Sequence, residues 1–203
     1  QLIPFSALLR IWVEPRATMR QILDTNPEHR VLFLAIASAT YRALERASDR
    51  SMGNLFDLIP LLIICGLFGI LGGYTTLYIS GAVYRWVGGW FGGQATAKEV
   101  RAAIGWSSVP DLVMLFIYGV IILVFGINWF STSTDWLTAP LTLGIVFGLV
   151  PVGLILLVWR VFLLVKCLAE AHRFSAWRGL ASLIVGGLLF LLPAVLLTIL
   201  FRL

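Results

Sequence analysis

The stretch LIPLLIICGLFGILGGYTTLYISGAVYRW, from Leu58 to Trp86, contains no acidic residue and one basic residue, Arg85. It is longer than the roughly 20 apolar residues that a helix needs to cross the hydrocarbon core of a bilayer. The whole chain has the same character, since 60% of its residues are hydrophobic, 12% are charged and its mean hydropathy is +0.95. Soluble proteins have about 25% charged residues. The sequence therefore predicts an integral membrane protein.

Three further runs are long enough to span a bilayer, and a fourth is ambiguous. The three are Pro110 to Trp129, Leu141 to Val165 and Trp177 to Phe201. The stretch from Arg30 to Asp49 is apolar only in its first half, so hydropathy alone does not decide whether it crosses. Gly, Pro, Ser and Thr residues mark the loops between the runs.

The distribution of Lys and Arg decides this question, because these residues accumulate in cytoplasmic loops. With five spans and a cytoplasmic N-terminus, eleven of the 15 basic residues lie inside and four outside. If Arg30 to Asp49 does not cross, the division becomes eight against seven and the bias disappears. We therefore predict an all-α membrane protein, a bundle of five transmembrane helices, with its N-terminus in the cytoplasm and its C-terminus outside. The eleven inside residues are Arg10, Arg16, Arg20, Arg30, Arg85, Lys98, Arg101, Arg160, Lys166, Arg173 and Arg178.

The segment PFSALLRIWVEPRATMRQIL, from Pro4 to Leu23, has apolar residues on one helical face around Trp12 and a break at Pro15. This pattern is typical of an amphipathic helix that lies in the membrane interface. We therefore divide the chain into a cytoplasmic interfacial segment, 1–28, and a five-helix transmembrane domain, 29–203. Aromatic rings favour the interface, and three tryptophans are predicted to lie there: Trp12, Trp86 and Trp90.

The charged stretch ATYRALERASDRS, from Ala39 to Ser51, follows directly on an apolar run. A helix that enters the membrane near Arg30 and rises 1.5 Å per residue carries Arg42 about 18 Å into a core about 30 Å thick. The stretch is either an early, solvated helix end with a snorkelling Arg42, or the lining of a polar cavity. In the second interpretation Arg42 forms a desolvated pair with Glu45. The candidate cavity residues are Arg42, Glu45, Arg46, Asp49 and Asp57.

Two capping boxes are predicted in the connector after the Leu58 to Trp86 run. Thr96 is followed three residues later by Glu99, and Ser108 by Asp111. In a capping box the first side chain accepts a bond from the backbone of the third helical residue, whose side chain reaches back. The sequence therefore predicts a short surface helix that starts after Thr96 and a span that starts after Ser108.

Two pairs of glycines have the G-x-x-x-G spacing. Gly69 and Gly73 lie in the Leu58 to Trp86 run, and Gly144 and Gly148 lie in the third run. Small residues at this spacing let helix backbones approach closely. We predict that all four glycines serve helix packing within the chain, and a homodimer seam is the alternative.

The sequence offers little catalytic chemistry. His29 and His172 are its two histidines, and we expect no catalytic residue, no metal site and no cofactor. Cys65 and Cys167 lie in apolar runs and are interpreted as small buried hydrophobic residues. The net charge is +5, but the basic residues are too scattered along the chain to form a nucleic-acid surface. They suit loops beside anionic lipid headgroups.

Four separated motifs resemble the bacterial branch of the Yip family, the Ypt/Rab-interacting-protein domain. They occur in the order expected of that family and together cover most of the chain. The resemblance implies a five-helix bundle with a cytoplasmic N-terminus, and for eukaryotic members it implies binding of small GTPases and a role in vesicle membranes. The motifs are IWVEPRATMRQIL, YRALERASDRSMGN, GWFGGQATAKEVRAAIGWSSVP and CLAEAHRFSAWRGL.

Three functions remain open on the sequence. The first is a non-enzymatic scaffold or accessory protein in the inner membrane of a bacterium, which binds another membrane protein or shapes the bilayer. Its partners would be the lipid bilayer and another membrane protein, a transporter complex or a second copy of the chain. The second is a transporter or channel for a small solute or ion that uses the charges at Arg42, Glu45 and Arg46. It would need a continuous polar path that reaches the inner face near Asp111 or Glu170. The third is a membrane-embedded enzyme acting on lipid.

Overall fold

The computed structural model of the protein describes residues 6–132 and 140–200, and leaves aside the side chains of 140–143, 146 and 191–200. Within these ranges the long regular elements are nine α-helices. A π-helical turn at Thr76–Ser80 joins α4 to α5. Short 3₁₀ turns lie at Met52–Asn54 and Gly126–Phe130. The helices are α1 (Ala7–Val13), α2 (Pro15–Thr25), α3 (Val31–Asp49), α4 (Leu58–Thr75), α5 (Gly81–Trp90), α6 (Ala97–Ser107), α7 (Val109–Phe125), α8 (Pro140–Ala171) and α9 (Ala176–Leu200).

Three helical segments in the described part of the chain are long and apolar enough to cross a membrane. They are Leu58–Trp90, Val109–Phe130 and Phe147–Ala171. Ala176–Phe190 is apolar but shorter. Helix α3 is not among the three, because its second half carries the charges noted above. The protein is therefore an all-helical membrane protein, and the count of five spans stays a prediction.

The N-terminal segment forms two helices that pack on the end of the bundle. Pro15 occupies the first turn of α2, where its missing N–H costs nothing because no helical partner exists there. Ile11 of α1 and Met19 and Ile22 of α2 are fully buried, whereas Leu9 is 73% exposed. Part of the apolar surface of this segment is thus buried against protein and part remains free.

Helix α3 lies at the centre of the fold and packs against α4, α6 and α7. Its seam with α4 is close because Gly69 and Gly73 face it. A Cβ atom at Gly73 would lie 2.8 Å from the backbone of Ile36, and one at Gly69 would collide with Thr40. These two glycines therefore bring the α3 and α4 backbones together.

Helix α6 departs from the prediction of a surface helix. Its capping box is confirmed, since Glu99 N–H donates to Thr96 Oγ1 at 3.4 Å and Thr96 N–H donates to Glu99 Oε2 at 2.6 Å. Residues 102–107 are all buried, and Trp106 has no exposed surface. Only the first turn of α6 is exposed, because α1, α2 and α8 share a hydrophobic core with its second half. The surface placement was therefore wrong.

The second glycine pair behaves differently from the first. A Cβ atom at Gly144 or Gly148 would meet no heavy atom of the described residues within 4 Å. These glycines lie in the N-terminal half of α8, which also contains Pro151. The described residues therefore do not show the predicted packing within the chain for this pair, and the alternative, a homodimer seam, is not tested.

Candidate functional site

An ionic cluster joins α3, α7 and α8 inside the bundle, and Asp111 is its centre. Asp111 lies in the first turn of α7 and is 6% exposed. Its Oδ2 atom accepts a hydrogen bond from Ser38 Oγ at 2.6 Å and lies 3.3 Å from Arg42 Nη2. The same oxygen lies 3.1 Å from Nη1 of Arg160 on α8. We call Ser38, Arg42, Asp111 and Arg160 the Asp111 cluster.

The cluster forms because α3 presents two polar side chains one turn apart. Ser38 and Arg42 are four residues apart, so they are neighbours on one face of the helix. Arg42 Nη2 donates to Ser38 Oγ at 3.1 Å, and this hydroxyl in turn donates to Asp111. Two guanidinium groups face one carboxylate, so the cluster carries a net positive charge when its members are ionised.

A cavity of about 490 Å³ adjoins the Asp111 cluster. Its polar lining includes Tyr41, Arg42, Glu45, Asp111 and Arg160. The opposite wall is apolar and belongs to α8 between residues 149 and 157. We call this space the Asp111 cavity.

Three aromatic rings, those of Tyr41, Tyr118 and Trp129, line part of the Asp111 cavity. Tyr41 and Tyr118 make an edge-on contact with ring centroids 5.5 Å apart, and Tyr118 makes another with Trp129 at 6.3 Å. Tyr41 Oη also donates to Glu45 Oε1 at 2.8 Å. The cavity therefore combines charged groups with aromatic rings.

The predicted pair of Arg42 with Glu45 is wrong. Arg42 pairs across helices with Asp111, and Glu45 accepts from Tyr41 on its own helix. The side chain of Asp111 is only 8% exposed, and a carboxylate this buried needs a charged partner to offset its desolvation. Glu45 is half-buried, so its carboxylate is less desolvated and depends less on a charged partner.

The other predicted cavity residues lie outside the Asp111 cavity. Arg46, Asp49 and Asp57 are all exposed. Arg46 lines a separate groove between α3 and α4. Asp57 precedes α4, and its side chain makes no capping bond.

The capping role predicted for Asp111 is wrong. Ser108 and Asp111 were interpreted as a capping box, but Ser108 Oγ donates to the backbone carbonyl of Ile104 at 3.0 Å and the side-chain cap is absent. A different signal pointed to its true position. Asp111 lies at the start of one apolar run and Arg160 lies within another, and charged residues in such runs normally face the bundle interior.

A second ionic cluster fixes the N-terminal helices to the end of α8. Glu170 is 9% exposed and accepts from Nε of Arg20 at 2.6 Å and also from Nη2 of Arg20. Arg16 Nε lies 3.8 Å from Glu170 Oε2, and Arg16 Nη2 donates to the carbonyl oxygen of Phe174 at 3.1 Å. We call Arg16, Arg20 and Glu170 the Glu170 cluster.

His172 is buried next to the Glu170 cluster. It is 1% exposed, and its ring stacks on Phe174 with centroids 5.1 Å apart. Gly88 and Gly93 leave room for the ring, since a Cβ atom at either would collide with it. Burial lowers the pKa of His172. In the part of the chain that the structure describes, no three His, Cys, Asp or Glu residues are grouped closely enough to hold a metal ion.

Two of the predicted interface tryptophans are exposed. Trp86 is 60% and Trp90 55% exposed, and their rings make an edge-on contact at 4.6 Å. Trp12 is half-buried and packs on the core beneath α1 and α2. The first two rings are free to contact lipid, whereas Trp12 also serves packing.

These features define a helical membrane protein with an ionic cluster between its helices and N-terminal helices held on one end of its bundle. The sequence model of the Yip1 domain matches residues 9–199. The chain therefore belongs to the Yip1 domain family. Neither a curated protein nor a solved structure matches it.

Proposed function

We propose that the protein is a non-enzymatic membrane scaffold that binds another membrane protein or shapes the bilayer. The observation that carries this proposal is the separation of the two ionic clusters along α8. Arg160 and Glu170 are ten residues apart, which is about 15 Å along a helix. Leu163 and Cys167 lie between them on the same helical face, and both are fully buried.

This separation favours a structural role for the buried charges. Transporters carry their solutes along polar paths, whereas Leu163 and Cys167 put apolar side chains between the Asp111 cavity and the Glu170 cluster. Each cluster also holds its charges in ion pairs between helices. Such pairs fix how helices are arranged, which is what a scaffold requires.

We further propose the orientation in which α1 and α2 lie on the cytoplasmic side of a bacterial inner membrane, as the excess of Lys and Arg there favours. The exposed apolar side chains of α1, Leu9 and Val13, are then available to the headgroup region or to a partner. Because Glu170 holds α2 on the bundle, the exposed side of α1 keeps a fixed position relative to the bundle.

A transporter is the second candidate, and the Asp111 cavity favours it. The cavity is large enough for a small solute and includes Glu45, a carboxylate without a cationic partner among the described ion pairs. Transport would need the barrier at Leu163 and Cys167 to open.

Thiol accessibility of Cys167 separates the two functions. A Cys65→Ala variant, which keeps Cys167 as its cysteine, is reconstituted in vesicles and treated with small polar methanethiosulfonate reagents from either side. The scaffold predicts that Cys167 stays unmodified while a cysteine introduced by Lys98→Cys, in a variant without the native pair, reacts fully. Rapid modification of Cys167 in folded protein would contradict the scaffold and support transport.

The partner is tested by chemical crosslinking in native membranes followed by purification in mild detergent. A scaffold predicts a stoichiometric complex with a second membrane protein or with another copy of the chain. Recovery as a monomer that neither retains a partner nor alters vesicle shape would contradict the proposal.

A further inference from the structure

A groove of about 580 Å³ lies between α3 and α4, next to the Asp111 cavity. One end is lined by arginines and the rest mainly by small and apolar side chains. Arg42 borders both spaces, but the groove and the Asp111 cavity are otherwise lined by different faces of α3.

The basic part of the groove is a stripe of three arginines, two on α3 and the third, Arg50, directly after its last residue. Arg42, Arg46 and Arg50 are spaced four residues apart, and the backbone N–H of Arg50 still donates to the carbonyl of Arg46 at 3.1 Å, so the three lie one above the other. All three line the groove. Arg46 and Arg50 are exposed, so their guanidinium groups are accessible from outside the bundle.

The nearest carboxylates leave this stripe with a net positive charge. Asp111 is bound by Arg42 and Arg160, and Glu45 accepts from Tyr41. Asp49 is exposed, and among the described residues neither Arg46 nor Arg50 forms an ion pair with it or with another acid. The groove therefore offers two guanidinium groups to an anion.

The floor and wall of the groove suit a hydrocarbon chain. Ala39, Ala43 and Ala47 run beside the arginines along α3 at four-residue spacing and, with Ala35, form a floor without protruding side chains. On α4, Phe68 and Leu71 line the groove and are each 63% exposed. They belong to a segment apolar enough to span a membrane, so the groove opens sideways toward lipid rather than toward water.

We propose that this groove binds an anionic phospholipid from the bilayer. Its phosphate lies between Arg46 and Arg50, and one acyl chain follows the alanine floor toward Thr75 and Ser108 at the far end. Guanidinium groups match phosphate oxygens well because they donate two parallel hydrogen bonds. The charge at one end and the apolar walls beyond it fit a lipid better than a soluble anion, which would gain nothing from the alanine floor.

Lipid titration followed by native mass spectrometry tests the proposal on the full chain in neutral detergent. Dioleoylphosphatidylglycerol should bind in preference to dioleoylphosphatidylcholine. The double variant Arg46→Gln/Arg50→Gln should raise the Kd for the anionic lipid by about tenfold or more, since each basic residue contributes to phosphate attraction. Ala43→Leu fills the groove and leaves the arginines intact, so it should weaken binding as well.

The matched control is Arg85→Gln/Arg178→Gln, which removes two exposed arginines elsewhere on the protein. It should leave the Kd within about twofold, because distant charges are screened. Equal weakening by both double variants would overturn the proposal in favour of general charge attraction. Displacement of the lipid by glycerol phosphate at equal concentration would also overturn it, since that result would mean that the acyl chain contributes nothing.

Discussion

Arg160 on α8 lies 3.1 Å from Asp111 on α7, and the same Asp111 oxygen lies 3.3 Å from Arg42 on α3. One carboxylate thus holds two guanidinium groups from two different helices. The side chains of Arg42 and Arg160 are 32% and 18% exposed, against 8% for Asp111. Loss of the acid therefore strands two cations, whereas loss of either arginine leaves the acid with the other.

Gly73→Ala should destabilise the protein, because the new Cβ atom would lie 2.8 Å from the backbone of Ile36 on α3. Overpacking of this kind typically costs about 1–3 kcal/mol. Thermal unfolding in detergent measures the effect. Gly66→Ala is the control, since a Cβ atom there meets nothing within 4 Å. Similar melting temperatures for the two variants would mean that the α3–α4 seam is looser than described.

Glu170→Gln should release α2 from the bundle, because Arg20 and Arg16 lose their shared carboxylate. Hydrogen exchange of residues 15–25 should become faster, while exchange in α7 stays unchanged. Glu14→Gln removes an exposed acid paired with Arg10 and should have little effect, since exposed pairs are worth about 0–1 kcal/mol. Unaltered exchange in α2 of the Glu170→Gln variant would contradict this prediction. It would mean that apolar contacts alone hold α2 on the bundle.

Lowering the pH should destabilise the protein through His172. Burial lowers the pKa of this side chain in the folded state, so the unfolded chain binds the proton more readily. The resulting stability is present above the unfolded pKa of about 6.5 and is lost as the pH falls below it. Melting temperatures between about pH 5 and 7.5 should therefore vary less in His172→Gln than in the parent or in His29→Gln. An unchanged pH profile in His172→Gln would exclude this group as the cause.

The five-span topology predicts that the loops at Lys98 and Asp57 lie on opposite sides of the membrane. Both side chains are exposed, so cysteines introduced there in a variant without Cys65 and Cys167 are accessible to reagents. An impermeant thiol reagent should label the Lys98→Cys protein only from inside and the Asp57→Cys protein only from outside. Labelling of both proteins from the same side would refute the five-span topology. Labelling of Lys98→Cys only from outside and of Asp57→Cys only from inside would refute its orientation.

Part of this fold could be predicted from the sequence because hydropathy is a property of each segment by itself. The runs that begin near Leu58, Pro110 and Leu141 correspond to the three helices long and apolar enough to span. Local spacing also predicted the capping box at Thr96, because its two partners, Thr96 and Glu99, are only three residues apart.

The ionic site could not be predicted in the same way, because its members come from separate helices. Ser38, Asp111 and Arg160 meet only when α3, α7 and α8 are packed at particular rotations, and a sequence pattern does not specify these. Arg42 and Glu45 are neighbours along α3, which made their pairing plausible. The buried Asp111 is the stronger partner for Arg42 because its charge is more desolvated.

A double-mutant cycle on Asp111 and Arg160 tests most directly whether the Asp111 cluster holds the helices together. Asp111→Asn should lower the unfolding free energy in detergent by about 3–5 kcal/mol, since it strands two cations. Arg160→Gln should cost less, about 1–3 kcal/mol, because Arg42 still faces the acid. The double variant should cost clearly less than the sum of the two, and Glu45→Gln, in the same cavity, should cost only about 0.5–1.5 kcal/mol. Single variants that melt like the parent, with effects that simply add, would contradict the account.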